Sequence, residues 1–403
     1  QVSAVDAARG VFRFTNRYDF RTLEHLELSW KVEVEGKPFA TGPADTPNVA
    51  PGDTVEAQVA YSAPNPIPPR TYLTLSFTLK EDQPWAPAGH EVASAQFELP
   101  GGKAKRPSAR TSPARFNDSP TRIYVTGEGF ELVFDRVRAV ISAWQVNGRD
   151  LVLSGPKIDF FRAAIDNDRP WDVGGAWQKA DFEHLTHRTD DVHVQDMGAT
   201  VRIAVKETIG QPALDRRFIC DYVYTFFGDG AIALQIHGVP EGDWPTTLPR
   251  IGLTMTIPLD LRRVTWFGRG PGESYIDSKQ AGRFGLYSMD VDEMYTPYVF
   301  PQEFGNRTDV SWVSLTNADG IGLLAEGDPT LDFSAKRFTA ADLEHARHTY
   351  DLKPRDEIVL SLDYRHNGLG SASCGPGPWA KYQLHPHEFS FAVLLRPVTS
   401  RPA

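Results

Sequence analysis

Cysteine is almost missing from this chain: among 403 residues only Cys220 and Cys374 occur. Two thiols cannot frame a disulfide-stapled fold, and their scarcity suits a reducing compartment, so a cytoplasmic location is expected. Long apolar runs are missing too. None approaches the roughly 20 residues of a membrane-spanning helix, so no membrane partner is expected. Positive charge is in deficit: the net charge of −10 argues against a non-specific hold on nucleic acid or an anionic membrane. The sequence has no GxSxG elbow, P-loop or dinucleotide fingerprint. Its first residues lack the pattern of a secretory leader. Because it opens on Gln1 rather than Met, the chain is expected to be processed at its start or to be a piece of something longer.

What is present points to strands. The 31 Pro and 33 Gly supply turns, and 23 Phe with 13 Tyr suit pleated surfaces better than long helices. Apolar and polar residues alternate over Val11–Phe14, Leu26–Val34, Val55–Ala60, Thr71–Leu79 and Glu91–Leu99, the pattern of half-buried strands. This predicts an immunoglobulin-like β-sandwich over residues 1–100. Gly101 to Arg115 (GGKAKRPSARTSPAR) has five bases, no acid and little to bury; it reads as a basic linker over 101–116. From Thr121 strands resume and hardly stop, with one helix expected over Thr339–His348, where Thr339 and Asp342 form a capping-box variant. The fold class is all-β, with a large antiparallel super-sandwich over 117–403.

The richest stretch for function is Lys157 to Gly175, KIDFFRAAIDNDRPWDVGG. An apolar run, Ile158, Phe160 and Phe161, empties into an acidic, aromatic loop with a Gly174–Gly175 hinge, as proteins do when presenting polar groups at a rim. Asp166 and Asp168 could equally cap a turn and pair with Arg162 or Arg169. Glu273 and Glu303 are the other candidate acids, though such loop carboxylates mostly accept backbone amides. His345 and His348 with Glu344, and the His385–His387–Glu388 run, lack the third ligand a zinc site wants. Trp171, Trp177, Trp266, Tyr275, Tyr295, Tyr298, Phe300 and Trp379 lie in turn-rich segments. Incomplete burial there would leave aromatic faces for sugar stacking, whereas most of them would simply cover the ends of a sandwich core.

Seven segments, in order, resemble the C-terminal region of glycoside hydrolase family 2 β-galactosidases. They are Thr15–Pro38, Trp85–Leu99, FRAAIDND (Phe161–Asp168), WFGRGPGESYIDS (Trp266–Ser278), EMYTPYVFPQEFGNRTDVSW (Glu293–Trp312), LDFSAKRFTAADLEHARH (Leu331–His348) and HNGLGSASCGP (His366–Pro376). The resemblance implies an immunoglobulin-like domain followed by a super-sandwich related to galactose mutarotase. In that family the catalytic glutamates sit on a TIM barrel, one of them within an Asn–Glu–Pro motif. This chain has no Asn–Glu pair, so the resemblance implies that it is a non-catalytic part, inactive alone, that completes a galactoside pocket.

The implied partners are the N-terminal catalytic half, the galactoside and further copies of the whole enzyme, a homo-oligomer. No cofactor is expected in this chain; the family's Mg or Na ions belong mainly to the other half. Implied rim residues are Asp166, Asn167, Asp168, Arg169, Trp171, Cys374 and Trp379. Cys374 stands where some relatives present a tryptophan, and Trp379 would substitute for it. The rival reading is a stand-alone carbohydrate-binding or mutarotase-like module, in which His237 and Glu303 would form an acid–base pair.

Overall fold

The computed structural model describes residues 1–102, 112–169 and 173–399, without the side chains of 173 and 174. Most of the basic linker therefore lies outside the described residues. The chain forms two compact units, Gln1–Ser108 with Arg283–Leu286, and Ala109–Gly282 with Tyr287–Ala403.

In the first unit, a three-stranded sheet (Val2–Asp6, Val11–Thr15, Thr54–Gln58) faces a four-stranded one (Lys37–Ala44, Leu26–Val34, Thr71–Leu79, Glu91–Glu98). The central pair has the bounds that the alternation predicts, and it runs antiparallel from Leu26 opposite Leu79 to Val34 opposite Thr71. Period-two alternation sends Leu26, Leu28, Trp30 and Val32 inward, where they meet Phe12, Phe14, Leu73, Leu75 and Phe77. That is a sandwich core of the immunoglobulin type.

The second unit is a continuous antiparallel system. A small meander (Arg115–Asp118, Arg122–Gly127, Phe130–Asp135, Val140–Val146) leads through Ser154–Asp159 to Arg250–Pro258 and Glu357–His366. From there pairing continues to Gly322–Lys336 and Phe389–Val398, then through Ile232–Glu241, Arg217–Phe226 and Val201–Gly210 to Thr186–Asp196. The first of these strands begins inside the segment read as linker. Between the layers, Ile203, Phe218, Tyr224, Leu253, Leu315, Phe333 and Leu360 are among the side chains of a single core. The super-sandwich reading of the fold stands.

Local exceptions are informative. The expected helix is present but shorter, Ala340–His345, and Thr339 and Asp342 make the capping box. A second helix, Val173–Ala180, replaces the glycine-hinged loop expected through Gly175. Burial of its Trp177, whose indole donates to the Thr247 carbonyl at 2.9 Å, stabilises a helix that two glycines disfavour. Trp177, Trp266 and Tyr275 are buried rather than partly exposed: Trp177 lies on the helix Val173–Ala180 and Trp266 on the strand Arg263–Gly270, both packed into the main core. Among the described residues no helix is long and apolar enough to cross a membrane.

Candidate functional site

One end of the second unit gathers four loops from far apart in sequence. Strand Ser154–Asp159 ends and the chain runs on through Phe160 to Ala164, almost wholly buried. Without a neighbouring strand its backbone groups need other partners, and side chains supply them. Glu344 accepts from the Ala164 amide at 2.7 Å, Gln302 from that of Asp166 at 2.8 Å, and Asp168 from that of Ile165 at 3.0 Å.

The turn itself is held by ion pairs. Buried Arg162 reaches both oxygens of buried Asp168 at 3.3 Å and donates to the Asn367 carbonyl at 3.0 Å. Its guanidinium lies 5.3 Å from the Trp177 ring centre. Burial pushes the Asp168 carboxyl above its usual range, and Arg162 opposes that shift. Asp166 is exposed and reaches Arg169, whose guanidinium stacks 4.1 Å over Phe300. The pairing of these aspartates with Arg162 and Arg169 is thus observed.

Asn167 ties this turn to a second loop. Its amide donates to the Gly370 carbonyl at 2.8 Å, and its oxygen accepts from the Ser373 amide at 3.0 Å and hydroxyl at 2.6 Å. Asp277 accepts from the Gly370 amide at 2.8 Å. Asn167 therefore ties down the backbone next to the exposed Cys374. Trp379, 67% exposed, stacks beside Tyr382 with the Lys381 ammonium 5.0 Å from its ring. Trp171 lies outside the described residues.

Beneath the loops lies a buried charged layer. Lys336 donates to Glu303 at 2.5 Å, and the Tyr275 hydroxyl reaches the same carboxylate at 3.4 Å. Burial alone would raise Glu303; the Lys336 ammonium and neighbouring His366 and Arg162 reverse that and hold it below its usual range. Asp363 pairs with Arg250 at 2.8 Å and with His366 at 2.7 Å. Burial, the larger influence on His366, lowers it despite this carboxylate. Gly252 has no side chain because a Cβ there would fall within the Asp363 carboxylate. Glu273 accepts from the Tyr298 hydroxyl and, at 2.7 Å, from the Gly305 amide, which is the structural use its loop context suggests.

Other candidates are dispersed. His237 contacts Ser390 and Glu388, whereas Glu303 contacts Lys336 and Tyr275, so the acid–base pair imagined from His237 and Glu303 does not form. His345 pairs with Glu183 and His348 with Asp351. Among the described residues no group of three ligating side chains could hold a metal. Lys336, Asp363 and Arg250 were not foreseen. No sequence signal marked them: in LDFSAK and LSLDY the charges fall on the register opposite the core residues Leu331, Phe333, Leu360 and Leu362, which reads as solvent-facing.

Such an architecture, a small β-sandwich and a large antiparallel super-sandwich with a polar loop cluster at one end, defines an all-β protein of the β-galactosidase C-terminal type. The chain belongs to the beta galactosidase small chain family, whose model matches residues 126–395. The model of beta-galactosidase domain 4 matches residues 12–100.

A beta-galactosidase of Priestia megaterium is 32% identical over 398 residues, covering 97% of this chain and 37% of its own length. Those of Vibrio cholerae and Kluyveromyces lactis are each 30% identical, covering 88% and 96% of this chain and 35% and 36% of themselves. The chain thus spans little more than a third of the curated relatives it matches. Among solved structures, the galactose 1-epimerase of Lactobacillus acidophilus is 8% identical with a TM-score of 0.43, covering 72% of this chain and all of that one.

Proposed function

We propose that the chain is the non-catalytic C-terminal part of a β-galactosidase. On this reading it completes the galactoside pocket of a retaining hydrolase whose TIM-barrel half carries both catalytic glutamates, and terminal β-D-galactose is released by double displacement. The observation that carries the reading is the match of the small-chain family over 126–395, together with relatives of that name that extend well beyond this chain.

The rim would comprise Asp166, Asn167, Asp168, Arg169, Trp171, Cys374 and Trp379. Exposure of Asp166, Cys374 and Trp379 supports contact with ligand for those three. Burial of Asp168 against Arg162 favours a role in shaping the loop. The same reading divides the chain at 1–100, 101–116 and 117–403, and places the whole enzyme in the cytoplasm as a homo-oligomer. Separate hydrophobic cores in the two units support the two sandwiches of that division, although Ala114 and Phe116 already pack with the second.

Hydrolysis of a nitrophenyl β-galactoside by this chain, with and without the catalytic half, tests the assignment. Activity only in the mixture is the expected result. Turnover by the chain alone at enzymatic speed would overturn it.

A further inference from the structure

A second polar recess lies between the strands Ser154–Asp159 and Arg250–Pro258 on one side and the start of Thr186–Asp196 on the other. It is a cleft of about 310 Å³ whose wall includes Ser154, Lys157, Asp159, His187, Thr254 and Thr256. That volume falls at the small end of ligand sites and matches one sugar ring rather than a chain of them. Phe160, Phe182 and Met255 add apolar surface to the same wall.

The wall is braced from behind by Glu207, whose side chain is 1% exposed. Its Oε2 accepts from the Tyr222 hydroxyl at 2.8 Å and lies 3.5 Å from His187 Nδ1. Its Oε1 has no hydrogen-bond partner among the described residues, and the Lys157 ammonium stands 3.6 Å off. The ammonium is thus what offsets the burial of that oxygen.

The charges around the cleft are already balanced. Lys157 faces Glu207, Asp159 accepts from the Thr254 hydroxyl at 3.0 Å and lies 3.7 Å from Arg250, and Glu183 pairs with His345 at 3.2 Å. A charged ligand would add an uncompensated charge to this partly buried wall. A hydroxylated neutral ligand would not, since each hydroxyl both donates and accepts.

We propose that this cleft binds a neutral polyhydroxylated molecule of monosaccharide size, independently of the loop cluster. Lys157, His187 and the hydroxyls of Ser154 and Thr256 contact it, and Glu207 acts as a positioning residue.

The test is calorimetric titration of the full chain with D-galactose, D-glucose and myo-inositol. It is repeated on Ser154→Tyr, which fills the cleft from an exposed position, on Lys157→Met, and on the loop-cluster variant Asn167→Ala. Expected is millimolar binding of at least one of the three, weakened about ten-fold or more by both cleft substitutions and unchanged by Asn167→Ala. Absence of heat with all three probes at roughly 100 mM, far above the millimolar range in question, would overturn the proposal. So would binding that survives Ser154→Tyr. Binding abolished by Asn167→Ala alone would assign the sugar to the loop cluster and sink the cleft, while leaving the reading of the chain as a β-galactosidase part intact.

Discussion

Replacing Lys336 with Met tests the reading of the buried charged layer. Lys336 and Glu303 are 8% and 4% exposed at their side chains and 2.5 Å apart. Methionine fills a similar volume but strips Glu303 of its principal counter-charge. Breaking a buried pair from one side costs about 3–5 kcal/mol. Neighbouring Arg162, which also lowers Glu303, places the expectation at the lower end, about 3 kcal/mol. For a folded unit of this size each kcal/mol shifts Tm by roughly 2–4 °C, so a fall on the order of 6–12 °C is expected.

The pH dependence is more diagnostic than the size. In the native protein Glu303 lies below its usual 4.5, so its contribution is present above that value and is lost as pH falls through the folded one. In Lys336→Met, desolvation dominates and the folded value rises above 4.5. Ionising Glu303 then destabilises the variant, whose deficit is largest at neutral pH and shrinks on acidification toward the unfolded value. Urea denaturation of both proteins at several pH values between about 4.5 and 7.5 measures this. The double variant Lys336→Met/Glu303→Gln should recover part of the loss. A deficit under about 1 kcal/mol, or one that does not change with pH, would refute the assignment of Glu303 as a buried anion held by Lys336.

Two further outcomes follow from the geometry. Asn167→Ala removes three hydrogen bonds between the acidic turn and the Gly370–Cys374 loop. Amide exchange at Ser373 should quicken by about ten-fold, corresponding to roughly 1.4 kcal/mol, and in the reconstituted enzyme KM should rise more than kcat falls. Unchanged exchange would show that the loop is fixed by something else. Asp342, bound to Arg355 and capping Ala340–His345, is held down to about 2 from 3.8. Its stabilisation is present above 3.8 and lost as pH falls toward 2. Solvent screening of this partly exposed pair discounts the contribution to about 1 kcal/mol. Asp342→Asn should therefore lose about that much at neutral pH and flatten the acid limb of the Tm profile; an unaltered acid limb would contradict it.

Much of the fold could be read from the order of residues because the relevant forces are local. Leu26–Val34 and Thr71–Leu79 become strands with the predicted bounds, since period-two alternation over nine residues fixes which face carries the core side chains. Thr339 and Asp342 announce their helix in the same way. The helix Val173–Ala180 could not be foreseen from VGGAWQKA, because its stability comes from where Trp177 docks rather than from propensity. Trp266 and Tyr275, in segments rich in Gly and Pro, looked exposed for the complementary reason.

The sequence by itself therefore determined the all-β class and the division into a small and a large sandwich, and it offered Arg162 and Arg169 as partners for the Asp166–Asp168 turn. Each depends on neighbours within a few residues or on the inward–outward rhythm of a strand. Only the tertiary structure decided that Asn167 grips a loop some 206 residues away, that Glu303 answers Lys336 and not His237, and that a polar cleft opens beside Glu207. Those pairings join groups whose ionisation and hydrogen bonding are set by burial, and burial is a property of the packed layers, not of any stretch of chain.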